Sequence, residues 1–223
     1  MFSVISLRYN KIMNMNKQKI LKYFIYGLEI LAVLILLYLL LFPFYPWLVY
    51  KFKYEDKVEF VPYESSNATT SLEAHKRVIN SVLPSIDYDV SPNRLIIPKI
   101  GVNAPIVESD NEQQGLSMGA WRVPDSSTPD QGGNTVITGH RFKYLPPHNV
   151  TFYSFDKLEK GDLVTVLWNK EEINYHIIET KVVPETEISI MDQTVEPRLT
   201  MFTCTPIYST ENRLVVIAEP IEN

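Results

Sequence analysis

Hydrophobic positions follow one spacing in the first fifth of the chain and another in its second half. Phe24 to Phe42 reads FIYGLEILAVLILLYLLLF, an apolar run interrupted by the single charge of Glu29. At about 1.5 Å per residue, a helix of this length spans close to the ~30 Å hydrocarbon core of a bilayer. A transmembrane helix is therefore predicted at 24–42. Pro43-Phe44-Tyr45-Pro46-Trp47 follows; its prolines are expected to stop the helix and its aromatics to sit at the interface. Residues 43–93 read as a juxtamembrane stalk and linker, polar and without period from Tyr63 to Ser71. Within it, Ser71 to Leu83 predicts one helix, with Ser71 capping and Ala74, Val78 and Val82 on one side, ended by Pro84.

From Arg94 onward the pattern changes to short β-branched and aromatic runs bounded by Gly, Pro, Asn and Asp. The runs are 94–98, 104–108, 134–139, 162–168, 174–183, 198–204 and 213–219. Phe152, Phe155 and Leu158 mark a short helix or turn between Asn149 and Leu158. Many strands with little helix predict an all-β domain over 94–223, a single closed or nearly closed barrel of about 130 residues.

Charge gives the anchor a direction. Arg8, Lys11, Lys17, Lys19 and Lys22 precede the apolar run with no acidic residue among them. After it, Lys51, Lys53 and Lys57 are mixed with Glu55, Asp56 and Glu59. The basic excess places residues 1–23 in the cytoplasm and the remainder outside the cell, in a single pass through the cell membrane. The run is long for a cleaved signal peptide and does not end in small residues, so an uncleaved anchor is expected. A formal net charge of -5 argues against nucleic acid as a partner.

The chain holds one cysteine, Cys204, so no internal disulfide framework is available. Without a Cys-x-x-Cys or a His-rich run, no metal site is expected. Cys204 ends an apolar strand directly before Thr205-Pro206. Taken alone, it reads equally as a small buried hydrophobe or as a nucleophile. Arg213 opens the next run after PIYSTEN, and a hairpin there would return it beside Cys204. A guanidinium so placed suits a carbonyl or a developing oxyanion. His140 follows NTVITG, and its imidazole suits proton transfer to or from an amine. His75 in the stalk helix, His148 in a proline-rich loop and His176 within a strand are weaker candidates.

Together these segments resemble the sortase family. Asn134-Thr135-Val136-Ile137-Thr138-Gly139-His140-Arg141 resembles its histidine motif, and Thr200-Met201-Phe202-Thr203-Cys204 resembles its Thr-Leu-x-Thr-Cys. Arg213-Leu214-Val215-Val216 resembles the arginine-bearing strand, and Arg94 to Ile100 with Ala104 to Val107 resembles the opening strands. The likeness covers Arg94 to Glu219, with His, Cys and Arg in the family's order. Met201 replaces the usual Leu, a volume-conserving change. The Asp-Pro-aromatic lid signature of many pilin-polymerising members is absent from the stalk region. Thr205-Pro206 and Gly119-Ala120-Trp121 look most like class D and E members.

The resemblance implies a closed barrel of about eight strands, with short helices, behind a transmembrane helix. It implies a cysteine transpeptidase with Cys204 as nucleophile, His140 and Arg213 as partners, and Thr203 and Thr205 as substrate-binding neighbours. The expected partners are a surface protein or pilin bearing an LPxTG-like sorting signal, and an amine acceptor from a cell-wall precursor or pilin. No cofactor is expected. Calcium, used by some relatives, would draw on Asp110, Glu112, Glu185, Glu187 and Asp192, but these show no liganding spacing and read better as solvated loops. Two other readings stay open: a membrane-tethered peptidase that uses the same residues and resolves the thioester with water, and a non-catalytic surface-binding β domain for which Cys204 is dispensable.

Overall fold

The computed structural model describes residues 2–55, 60–82, 93–144 and 148–221. It divides into two compact units, at Tyr45 and Pro46. In the first, α1 runs from Phe2 to Leu41, so the predicted membrane helix is the C-terminal part of a longer one. The helical stretch Lys19–Tyr54 reaches a mean hydropathy of 2.6 with none of that window buried inside the protein, long and apolar enough to cross a membrane. Pro43 does end α1, but helical turns resume: a 3-10 turn over Phe42–Phe44, α2 at Tyr45–Tyr50 and a π turn at Lys51–Glu55. Both prolines sit in the first turn of their segments, where no backbone N–H is needed.

In the second unit, α3 spans Ala68–Val82. Ser71, Ala74, His75 and Val78 form its buried face, the spacing of an amphipathic helix. Ser71 is not its cap. The serine hydroxyl lies 2.9 Å from Asn67 Oδ1 and 3.1 Å from Pro62 O, between two acceptors for its one proton, and the helix starts three residues earlier, behind a 3-10 turn at Ser65–Asn67. Part of the stretch read as stalk therefore lies against the barrel: His75 Nε2 meets Thr165 Oγ1 at 2.9 Å, and Ile79 packs on Ile96 and Leu167.

Eight strands close into one barrel: β1 Arg94–Ile97, β2 Val102–Glu108, β3 Ala120–Arg122, β4 Asn134–Thr138, β5 Leu163–Trp168, β6 Glu171–Pro184, β7 Arg198–Thr205 and β8 Asn212–Pro220. Their order is β1-β2-β3-β4-β7-β8-β6-β5, closed by pairing β5 with β1. The pairs β2–β3 and β4–β7 are parallel and the others antiparallel. Seven strands fall on predicted runs; β3, three residues long, is too short to show alternation. It is preceded by α4, Glu112–Met118, whose N-cap Asn111 accepts from Gln114 N at 2.9 Å. Gly115 of α4 is required by its neighbour, since a Cβ there would stand 2.2 Å from Trp121 Cδ1.

Alternation along β4, β7 and β8 sends Ile137, Leu199, Met201, Val216 and Ala218 into the core. Met201, in the place the family gives to Leu, is fully buried. Phe152 and Phe155 stack there with ring centroids 4.5 Å apart, and the expected turn is a 3-10 segment, Phe155–Lys157. Each ring buried in this way contributes about 2–3 kcal/mol. The Phe152 ring lies directly against Gly139, in the segment that follows β4.

Candidate active site

The parallel pair β4–β7 runs in register from Asn134 opposite Arg198 to Thr138 opposite Phe202. Two side chains carry the alignment past the end of β4. Thr138 Oγ1 donates to Phe202 O at 2.9 Å, and Thr203 Oγ1 donates to Gly139 O at 2.7 Å. Gly139-His140 is thereby fixed beside Thr203-Cys204. Gly139 has a steric reason as well: a Cβ would lie 3.0 Å from the Phe152 ring, while Phe152 N donates to His140 O at 2.9 Å.

On the other side of β7, the antiparallel register sets Cys204 opposite Arg213 and Thr205 opposite Asn212. The hairpin expected from PIYSTEN is thus present. Met201 and Thr203 are buried, whereas the alternate positions Phe202 and Cys204 are half-buried and face outward. Cys204 is a free thiol. The Arg213 guanidinium donates from Nη1 to Thr210 O at 2.6 Å and Asn212 O at 3.2 Å, and its Nη2 lies 3.5 Å from Glu185 Oε2. Half-burial holds the His140 pKa below the usual 6.5, reinforced by Lys143 and opposed by Glu112. The imidazole is therefore neutral at pH 7 and able to accept a proton. Among the described residues no hydrogen bond joins the Cys204 thiol to His140 or Arg213. Such contacts commonly tighten only around substrate.

The five positions named from sequence do not share one role. His140, Cys204 and Arg213 meet at one end of the barrel. Thr205 is half-buried beside them. Thr203 is only 1% exposed and its hydroxyl is committed to Gly139 O, so it sits in the wall of the site rather than on the surface a substrate would touch. Of the other histidines, His75 docks α3, His148 packs tilted against Tyr144 with ring centroids 4.6 Å apart, and His176 packs in the same way against Tyr63 at 4.6 Å.

Several residues at the site have no sequence signal of their own. Arg141 is buried and pairs with Asp156, Nη2 to Oδ1 at 2.7 Å. Phe142 meets Tyr208 nearly edge-on at 4.7 Å and Tyr153 at 6.1 Å, linking the segment after His140 to the loop after Cys204. Their proximity to His140 and Cys204 in the chain was the available clue; the pairing depends on how two distant loops fold back.

Among the described residues no group of three or more His, Cys, Asp or Glu side chains is placed to hold a metal ion. Of the acidic residues weighed for calcium, Glu185 is turned toward Arg213 and Glu187 accepts from the Ser189 hydroxyl.

The half-buried Cys204 thiol, near the end of β7, thus lies between the segment after β4 that carries His140 and the start of β8 that carries Arg213, on a closed barrel. A family model described as the sortase domain matches residues 95–221, more than half of the chain. The chain belongs to the sortase family, a family of cysteine transpeptidases. It is 35% identical to sortase D of Bacillus subtilis over 113 residues, covering 50% of this chain and 53% of that protein. It is 27% identical to sortase A of Listeria monocytogenes over 133 residues, covering 60% of this chain and 58% of that protein. The chain thus spans little more than half the length of these relatives. Among solved structures, Listeria monocytogenes sortase A superimposes with a TM-score of 0.52 at 27% identity, covering 59% of this chain and 88% of that one. Sortase C-1 from Actinomyces oris gives 0.53 at 27% identity, covering 61% and 76%.

Proposed function

We propose that this chain is a membrane-anchored cysteine transpeptidase that cleaves an LPxTG-like sorting signal and passes the acyl group to an amine. One observation carries the reading: the β7–β8 register sets Cys204 opposite Arg213 while the Thr203–Gly139 hydrogen bond holds His140 alongside. Cys204 Sγ attacks the threonyl carbonyl carbon of the signal, and its proton passes to neutral His140. Arg213 stabilises the tetrahedral oxyanion. His140 then protonates the departing amine as the C–N bond breaks, leaving a thioester on Cys204. An incoming amine, from a cell-wall precursor or a pilin, attacks the thioester; His140 takes its proton, and the thiol is released as the new amide forms. Thr205, next to Cys204, is read as a substrate neighbour. No cofactor takes part in this scheme.

The apolar helix supports an anchor at 24–42. The basic residues before it support a cytoplasmic segment at 1–23 and a catalytic domain at 94–223 on the outer face, where signal and acceptor both meet the membrane. The similarity to sortase D supports a place near class D or E.

The test is to incubate the full chain in detergent with a library of sorting-signal peptides and trap the acyl-enzyme by mass spectrometry. An adduct on Cys204, converted to an amide when an amine is added, is the expected result. No adduct with any peptide would overturn the reading. Turnover that ignores added amine would replace it with a peptidase, and activity surviving Cys204→Ala would replace it with a non-catalytic binding domain.

A further inference from the structure

Arg141 follows His140 and takes no part in the acyl transfer described above. Its side chain is 6% exposed, on the segment that the Thr203 hydroxyl fixes beside β7. Only Nη2 has a partner, Asp156 Oδ1 at 2.7 Å; Nε and Nη1 are buried without one. Buried guanidinium donors are normally filled, because leaving them empty is costly. Asp156 offsets the charge only in part, since its side chain is 47% exposed to water. Arg213, by contrast, has partners at both Nη atoms, two carbonyls at Nη1 and Glu185 at Nη2. Cys204 lies within electrostatic reach of Arg141, as do Asp156 and Tyr153.

We infer that Arg141 is a positioning residue of the site: its buried charge favours the thiolate of Cys204, while Asp156 both tethers and tempers that charge. The inference rests on Cys204 being the nucleophile proposed above. Thiolate, not thiol, attacks a carbonyl, and a fixed neighbouring cation enlarges its share. Arg141 forms no bond in the reaction, and the thiol proton still leaves to His140 or to water.

Other charged and titratable groups surround the pair. His140 and Lys143 come from the segment after β4, and Glu112 from α4. Tyr153 and Asp156 lie on the segment between β4 and β5, Tyr208 on the loop after Cys204, and Arg213 with Glu185 across from it.

The experiment measures the initial rate of Cys204 alkylation by iodoacetamide on the full chain in detergent, from about pH 5 to 10. The chain has one cysteine, so the whole signal reports Cys204. Arg141→Met is expected to raise the midpoint of the profile by about one pH unit, an about tenfold slower reaction on its acid side. Arg141→Lys should restore most of that loss, and Asp156→Asn should move the midpoint the opposite way, downward. A purely structural Arg141 would not give shifts of opposite sign. An unmoved midpoint in Arg141→Met overturns the inference. Should circular dichroism show that this variant does not fold, Asp156→Asn decides: a lowered midpoint supports the inference, and an unmoved or raised one overturns it. Alkylation needs neither sorting signal nor acceptor. Acyl transfer with unmoved midpoints would therefore sink this inference alone, and moved midpoints without an acyl-enzyme would sink the proposed function alone.

Discussion

Cys204 and Arg213 face each other across the β7–β8 pair, and the Arg213 guanidinium is held over the hairpin by Thr210 O at 2.6 Å. A planar fork fixed in this way can offer its remaining edge to an oxyanion, which a lysine ammonium cannot reproduce. Arg213→Lys is expected to lower kcat/KM for acyl transfer by about 10²–10³ while Cys204 stays open to alkylation. Steady-state kinetics with a sorting-signal peptide and an amine read this directly. Activity within about tenfold of wild type would deny Arg213 the oxyanion role.

The pairing of Cys204 with Arg213 was legible because it is local: a strand, a short turn and a second strand fix the register within one hairpin. The barrel was legible for a similar reason, since seven of its strands carry runs of β-branched and aromatic residues. The eighth, Ala120–Arg122, is held by parallel pairing to Ile106–Glu108 and leaves no period to read. Thr203 was legible as a neighbour of Cys204 but not as a buried donor, because the Gly139 carbonyl it meets is 64 residues away. Arg141 and Asp156 were silent too. A charge pair between the segment after β4 and a 3-10 turn has no spacing rule, and only the fold shows that the arginine is buried.

Thr203 tests how much the alignment of β7 with His140 matters. Thr203→Val keeps shape and removes the hydroxyl that donates to Gly139 O. The loss of one buried hydrogen bond, with a carbonyl left unfilled, is expected to cost about 1–3 kcal/mol of stability. Acyl transfer should fall further than peptide binding, because the loosened group is His140 rather than a substrate contact. Chemical denaturation and a comparison of kcat with KM measure the two effects. An unchanged kcat would show that the bond serves the fold alone.

Gly139 offers a steric version of the same test. A methyl group at this position would stand 3.0 Å from the Phe152 ring, closer than ordinary contact, with Phe152 fully buried. Either the ring or the His140 segment must move. Gly139→Ala is expected to destabilise the domain by about 1–3 kcal/mol and to reduce kcat. Gly139→Ala combined with Phe152→Leu frees the space and should recover part of the activity. No recovery would show that backbone freedom at Gly139, rather than the close approach, is what the site needs.

His75 gives the fold a dependence on pH that is separate from catalysis. It is buried in α3 against Thr165, and burial lowers its pKa from 6.5 to about 4, with Glu172 opposing the shift. Above pH 6.5 the imidazole is neutral in folded and unfolded chains alike and contributes no pH dependence. Between 6.5 and about 4 the unfolded chain takes up a proton that the folded one refuses, so this group's contribution falls as the pH falls. Below about 4 both states are protonated and the loss levels off, at roughly 3 kcal/mol in all. His75→Gln keeps a hydrogen-bonding group for Thr165 and removes the titration. The unfolding free energy of the wild type relative to this variant, followed by tryptophan fluorescence in denaturant, should therefore decline from pH 7.5 to pH 4 by that amount. Parallel pH curves for the two proteins would show that His75 does not carry the effect.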